Sequence, residues 1–359
     1  MKTARRSGFS LIELTITIAI TATMTTILLP ALTAMQSKMR GVSSESNLST
    51  IGQIGAMYAQ DNEDRIFTFT WKAGVPFIQL KNGNQIVPSS DQEAAAYQVQ
   101  NILQRATGRI IGPGSILAPK SRLMYRRYSH LVLADYMGGN VSDPMWADPA
   151  DASLLHWQLN PLEFHDHNNS FPYGNGLPQS AGYDDDGTWS TIAIKQLWPF
   201  ASSYQTVPHA WQSDFGPQYA PNDITPHLFT ATGGIPELGE RRFHEVRFPS
   251  RKVHMFEEFD REQPGTPYFA YDHAAPAKLM FDGSINTLQS GLARSSVSPA
   301  DYLNGNKIVW EQNYVPLDTF PIPLGGLGDT TQLNMRYRWT LGGLTGTDYY
   351  TPLSRPYGR

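Results

Sequence analysis

The chain holds one acid where apolar chemistry predominates. Glu13 is the only charged residue between Phe9 and Leu32 (FSLIELTITIAITATMTTILLPAL). A carboxylate in hydrocarbon costs on the order of 2.5–3.5 kcal/mol on insertion scales, so an acid kept there reads as functional by default. Two other clusters have the residue types of metal sites. His165-Asp166-His167-Asn168, with His156 and Glu163 nearby, has two imidazoles and carboxylates suited to a transition metal. Asp184-Asp185-Asp186-Gly187 can offer calcium hard oxygen ligands, although the run lacks the alternating spacing and downstream glutamate of a calcium loop. Both clusters fit polar surface loops better than metal sites. The acids Glu245, Glu257, Glu258, Asp260 and Glu262 include an adjacent pair. Strand alternation would place Glu257 and Glu258 on opposite faces, which makes them a poor catalytic dyad. With no G-x-S-x-G, phosphate-binding loop or dinucleotide fingerprint, no enzymatic activity is expected. Trp189, Trp198, Tyr204 and Trp211 lie in one Pro- and Gly-rich region and suit either a recognition surface or core packing.

An extended helix must position Glu13. Phe9 to Leu32 spans about 36 Å as a helix, enough to cross a bilayer. Beyond it, Leu32, Met35, Met39 and Val42, then Leu48, Ile51, Ile54 and Tyr58, recur at three- and four-residue spacing. This stripe predicts one helix from about Phe9 to Gln60, ending at the polar run Asp61–Asp64. Pro30 removes one backbone hydrogen bond within it. Lys2, Arg5 and Arg6 precede the apolar run, which places the N-terminus in the cytoplasm and exports the rest.

After residue 65 the pattern mixes short strands and helices. Arg65–Trp71, Arg242–Phe248 and Lys252–Phe256 alternate as strands; Asp91–Arg105 and Leu123–Met137 read as helices. Lys278–Phe281 and Ser284–Leu288 flank Asp282-Gly283, a hairpin signal. Lys307–Val309 reads as a late strand. The expected fold class is α+β: a long N-terminal helix packed on a sheet-containing head with large loop-rich insertions. The expected organisation is a short basic segment over 1–8, a membrane-length helix over 9–32, its amphipathic continuation over 33–61, and a head over 62–359, elaborated over about 138–236. Net charge is −4, and Arg126-Arg127 and Arg241-Arg242, the principal basic runs, read as solvated surface, so no nucleic-acid partner is expected. Cysteine is absent, which excludes disulfides and thiolate metal sites.

Gly8, Phe9, Leu11, Ile12, Glu13 and Leu14 together resemble the processing motif of type IV prepilins and type II secretion pseudopilins. The resemblance implies cleavage between Gly8 and Phe9 by a prepilin peptidase, N-methylation of Phe9, and pairing of Glu13 with the terminal amine of a neighbouring subunit. It implies as partners that peptidase/methyltransferase, other pilin or pseudopilin subunits, an inner-membrane assembly platform, and lipid before assembly. The location implied is the bacterial cytoplasmic membrane, single-pass, with the head extracytoplasmic, and the filament after assembly. No cofactor is expected, calcium at Asp184–Asp186 and a metal at His165 and His167 being the open candidates. An ordinary secretory signal fits poorly, because the apolar run is too long, holds Glu13 and has no clean A-x-A site after it. A weaker resemblance joins Tyr271-Asp272-His273 and Lys278–Gly283 to the H-x9-DG element of large pseudopilin-like proteins, with one residue fewer between His273 and Asp282. The rival expectation is a membrane-anchored module whose exported head recognises glycan or protein.

Overall fold

The computed structural model describes residues 10–112, 114–120, 125–161, 196–214, 238–263, 265, 267–297, 311–314 and 331–350. The molecule is α+β, as the sequence pattern predicts. Helix α1 (Leu11–Asp61) runs unbroken for 51 residues and passes through Pro30. At 1.5 Å per residue it is about 76 Å long. It stops where Asn62 caps it, donating from its backbone N–H to the Ala59 carbonyl (3.3 Å) and from its side-chain amide to the Tyr58 carbonyl (2.8 Å). Glu63 and Asp64 then adopt positive φ and turn the chain back.

The head is built on a four-stranded antiparallel sheet of order β3–β4–β5–β6. Its strands are β3 (Tyr204–Thr206), β4 (Val253–Glu257), β5 (Lys278–Met280) and β6 (Ile285–Asn286). Tyr204 pairs with Glu257, Phe256 with Lys278, and Leu279 with Ile285; an irregularity interrupts the β4–β5 ladder between Val253 and Met255. Gly283, at φ 83°, makes the turn from β5 to β6, as Asp282-Gly283 predicts. Two further pairs stand apart: β1 (Phe77–Ile78) with β2 (Gln85–Ile86), and β7 (Glu311–Tyr314) with β8 (Thr331–Asn334).

Both faces of the sheet are covered. On one, Leu48, Ile51 and Tyr58 of α1 pack with Phe67, Trp146, Tyr204, Met255 and Leu279. On the other, Phe256, Phe269, Trp211, Tyr337 and Trp339 join Ala95, Val99 and Leu103 of helix α2 (Asp91–Thr107) in the larger core. The α1 contact is close because the helix presents glycines to it. A Cβ on Gly55 would lie 2.7 Å from the ring of fully buried Phe67, and one on Gly52 would lie 2.9 Å from Leu279. Gly55→Ala is therefore expected to destabilise the head by about 1–3 kcal/mol despite alanine's better helix propensity. Denaturant unfolding of the purified protein measures this, and a neutral or stabilised variant would refute close packing here.

Several local expectations are corrected. Arg65–Trp71 forms no strand; Arg65 makes a single bridge to Arg242, and Phe243–Glu245 is a 3-10 turn. Helix α2 extends two residues beyond the expected Arg105, to Thr107, and is capped by Ser90, whose hydroxyl accepts from Glu93 N–H. The second helix is only α3 (Tyr125–Tyr128), continued by a 3-10 stretch over Ser129–Met137. The segment read as irregular elaboration contains α4 (Ala152–Leu159) and supplies β3 to the sheet. Lys307–Val309 lies outside the described residues.

Arg126, Arg127 and Arg241 are buried where solvated surface was expected. Arg127 approaches Glu258 at 3.5 Å, and Arg338 approaches the same carboxylate at 3.6 Å from the other side. Arg241 bonds Asp214 and Glu245, each at 2.8 Å.

Candidate functional site: a bare helix and its seam with the head

Among the described residues, the first half of α1 is bare. Leu11 is 79% exposed, Ile12 69% and Ile27 68%, and every described residue from Ser10 to Gln36 is exposed. This helix is long and apolar enough to cross a membrane. Its polar groups are satisfied from within. The hydroxyls of Thr15, Thr17, Thr21, Thr23, Thr25, Thr26 and Thr33 donate to carbonyls three or four residues earlier. Threonine is β-branched and otherwise a mediocre helix former, but this back-bonding removes the cost of carrying hydroxyls into hydrocarbon.

Glu13 sits in the first turn and closes a capping box. Ser10 Oγ accepts from Glu13 N–H (3.2 Å), and Glu13 Oε2 accepts from Ser10 N–H (2.8 Å). Two helix-terminal N–H groups are thus satisfied without water. The pattern Ser-x-x-Glu was present at Ser10–Glu13 in the sequence and is the signal that finds this second role of Glu13. The carboxylate is thereby held at the very start of the helix. Gly8 and Phe9 themselves lie outside the described residues, as do His165, His167, Asp184, Asp185 and Asp186.

The stripe expected to pack on the head divides. Leu48, Ile51 and Tyr58 are buried, but Met35, Met39 and Val42 are 60%, 66% and 67% exposed. The face that meets the head around residues 37–44 is instead small and polar: Ser37, Gly41 and Ser44. The methionines therefore extend the bare apolar surface past the membrane-length segment.

Beneath Ser37, Gly41 and Ser44 lies a buried acidic cluster. Carboxylate oxygens of Asp148, Glu257 and Glu262 all lie within 4.8 Å of one another. Ser44 Oγ donates to Glu257 Oε1, and Ala277 N–H donates to Glu257 Oε2 at 3.0 Å. Ser44 Oγ also lies 2.9 Å from the Tyr204 hydroxyl. Arg261 bonds Asp151 at 2.9 Å and stands 3.7 Å from Asp148. Burial raises the proton affinity of Asp148 and Glu257, and burial followed by the charge of Asp148 pushes Glu262 up to about 7. The neighbours Glu257 and Glu258 do face opposite sides, the first toward α1 and the second toward Arg127 and Arg338. Sequence alone grouped Glu257 and Glu262 but missed Asp148, more than a hundred positions away.

Trp198, Tyr204 and Trp211, offered as a recognition surface, are core residues with at most 1% exposure; Trp189 lies outside the described residues. His273 is exposed on the strand-connecting loop before β5, and its backbone carbonyl accepts from Gln263 (3.2 Å). No family model, curated protein or solved structure matches this chain.

Proposed function

We propose that the chain is a structural subunit, of minor or tip type, of a type II secretion or type IV pilus-like filament. The observation that carries this reading is the bare half of α1: an apolar surface with internally bonded hydroxyls and one acid at its first turn, continuous with a second half that packs on a folded head. Such a surface needs lipid at one stage and like helices at another. The exposed Met35, Met39 and Val42 favour helix neighbours over lipid alone, since they continue the apolar face beyond a bilayer's thickness. Lys2, Arg5 and Arg6 favour a cytoplasmic N-terminus, and with it a head outside the cytoplasmic membrane. Prepilin peptidase, sister subunits and an assembly platform are the partners this function requires. The size of the head favours a minor or tip position, because a bulky head crowds a helical lattice.

Mass spectrometry of the protein recovered from its native membrane tests the processing step. The expected mature chain begins at N-methylated Phe9. A chain that keeps Met1, or one cut near Ala34, would sink the reading.

The second reading, a membrane-anchored glycan- or protein-binding module, rests on the large head, since Trp198, Tyr204 and Trp211 are buried in the core. It predicts an unprocessed N-terminus and retention of glycan by the head. Because Leu48, Ile51 and Tyr58 belong to the core, any soluble head used for such an assay must retain the second half of α1.

A further inference from the structure

We propose that Asp148, Glu257 and Glu262 bind a hard divalent cation, calcium by donor type and spacing, which fastens the second half of α1 to the head. The three carboxylates bring oxygen atoms within 4.8 Å of one another. Calcium holds oxygen ligands at 2.3–2.6 Å, so two ligands on one ion are separated by at most about 5 Å. An all-oxygen donor set without imidazole or thiolate selects a hard cation over zinc or copper.

A second observation is independent of this spacing. Asp148 is fully buried, and its Oδ1 is occupied by the Ala150 N–H (2.6 Å), yet its Oδ2 has no donor within hydrogen-bond distance and faces Arg261 Nη1 only at 3.7 Å. Oε1 of Glu262 is likewise shut from solvent without a donor. Buried carboxylate oxygens left in this state are costly unless a proton or a cation meets them. The nearest fixed cation does not suffice. Arg261 directs Nη2 to Asp151 and holds Nη1 3.7 Å from Asp148, so one guanidinium is already shared by two carboxylates and forms no ion pair with Glu257 or Glu262 among the described residues. The Lys278 ammonium donates to the Pro276 and Leu288 carbonyls, at 2.6 and 2.9 Å.

The roof of the cluster is α1. Ser44 holds Glu257, Ser37 Oγ donates to the Glu262 carbonyl (2.8 Å), and Gly41 leaves room, since a Cβ there would lie 3.2 Å from Glu262 Cγ. An ion beneath this roof cancels the repulsion that otherwise pushes the acids, and the helix resting on them, apart. The device couples the stiffness of the helix–head joint to divalent cation in the surrounding medium.

The experiment uses the full chain in detergent. Terbium serves as a luminescent calcium substitute sensitised by nearby aromatic rings, and the thermal midpoint is followed with and without calcium. Saturable terbium emission displaced by calcium is expected, together with a raised midpoint that chelator reverses. Glu262→Gln and Asp148→Asn should each weaken binding at least tenfold, while the cation-free midpoint of Glu262→Gln stays equal to or above that of the unaltered protein, because a like charge has been removed. Absence of saturable binding up to about 10 mM calcium, well above the range of extracellular calcium modules, would overturn the proposal. So would binding undiminished in both variants, which would place the ion elsewhere, Asp184–Asp186 included. A midpoint that responds to pH but not to calcium would mean that protons alone neutralise the cluster, and would overturn it too.

Discussion

Replacing Glu13 by glutamine is expected to abolish filament assembly while leaving membrane insertion intact. Glutamine can still accept from the Ser10 N–H and so preserves the capping box; what it removes is the charge. In the proposed filament that charge meets a protonated N-terminal amine in an apolar surrounding. Taking away one partner of such a pair strands the other and costs about 3–5 kcal/mol, roughly a 10²- to 10³-fold loss in subunit affinity or more. Glu13→Ala loses the cap as well, for about 1 kcal/mol further at the helix start. Sheared-filament yield against membrane-fraction abundance reads both effects. Wild-type assembly by the glutamine variant, with failure of the alanine variant, would show that capping is the whole role of Glu13.

Asp348→Ala should be among the most damaging single changes to the head. Lys252 and Asp348 are completely buried; the ammonium approaches the carboxylate at 3.3 Å and also bonds Thr340. Asp348 Oδ2 accepts the Val253 N–H at 2.7 Å, so this pair secures residues 331–350 to the start of β4. Alanine at 348 leaves a buried ammonium and a buried N–H without their acceptor, an expected loss of about 3–5 kcal/mol. The double variant Lys252→Met, Asp348→Leu should recover most of it, since an apolar pair of similar volume carries no desolvation cost. Denaturant unfolding of the three variants decides the matter. A single variant within about 1 kcal/mol of the parent would mean that water or another group takes over the ammonium.

What the sequence made legible follows the range of the interactions involved. Helix α1 was readable because its periodicity, its apolar first half and the polar run that ends it are all local; the expected Phe9–Gln60 and the observed Leu11–Asp61 differ by two residues at one end and one at the other. The Asp282-Gly283 turn was readable because a positive φ is a property of the residue itself. The face of α1 that meets the head was misread between residues 35 and 44. Hydrophobicity favoured Met35, Met39 and Val42, but the partner there is a set of carboxylates, which select Ser37 and Ser44. Arg126 and Arg127 read as surface because the buried acid that neutralises Arg127, Glu258, arrives from a distant strand. Strand β3 was invisible among prolines and glycines, since three residues carry no periodicity; it exists because β4 offers it a ladder. The Asp148–Glu257–Glu262 cluster depends on Asp148 meeting the distant segment that carries both glutamates, and no spacing along the chain encodes that meeting.

The threonines of α1 have a kinetic consequence. Each hydroxyl travels with its own acceptor, so the helix keeps the same hydrogen bonds whether lipid or protein surrounds it. A serine or asparagine reaching outward would have to exchange partners on the way, and each exchange would add a barrier. In the proposed assembly, leaving lipid for neighbouring helices then involves no polar step at the threonines, and Glu13 alone changes partner. What would resist extraction is the surface area of Leu, Ile and Met side chains, a force that would return in kind when the next helix covers them.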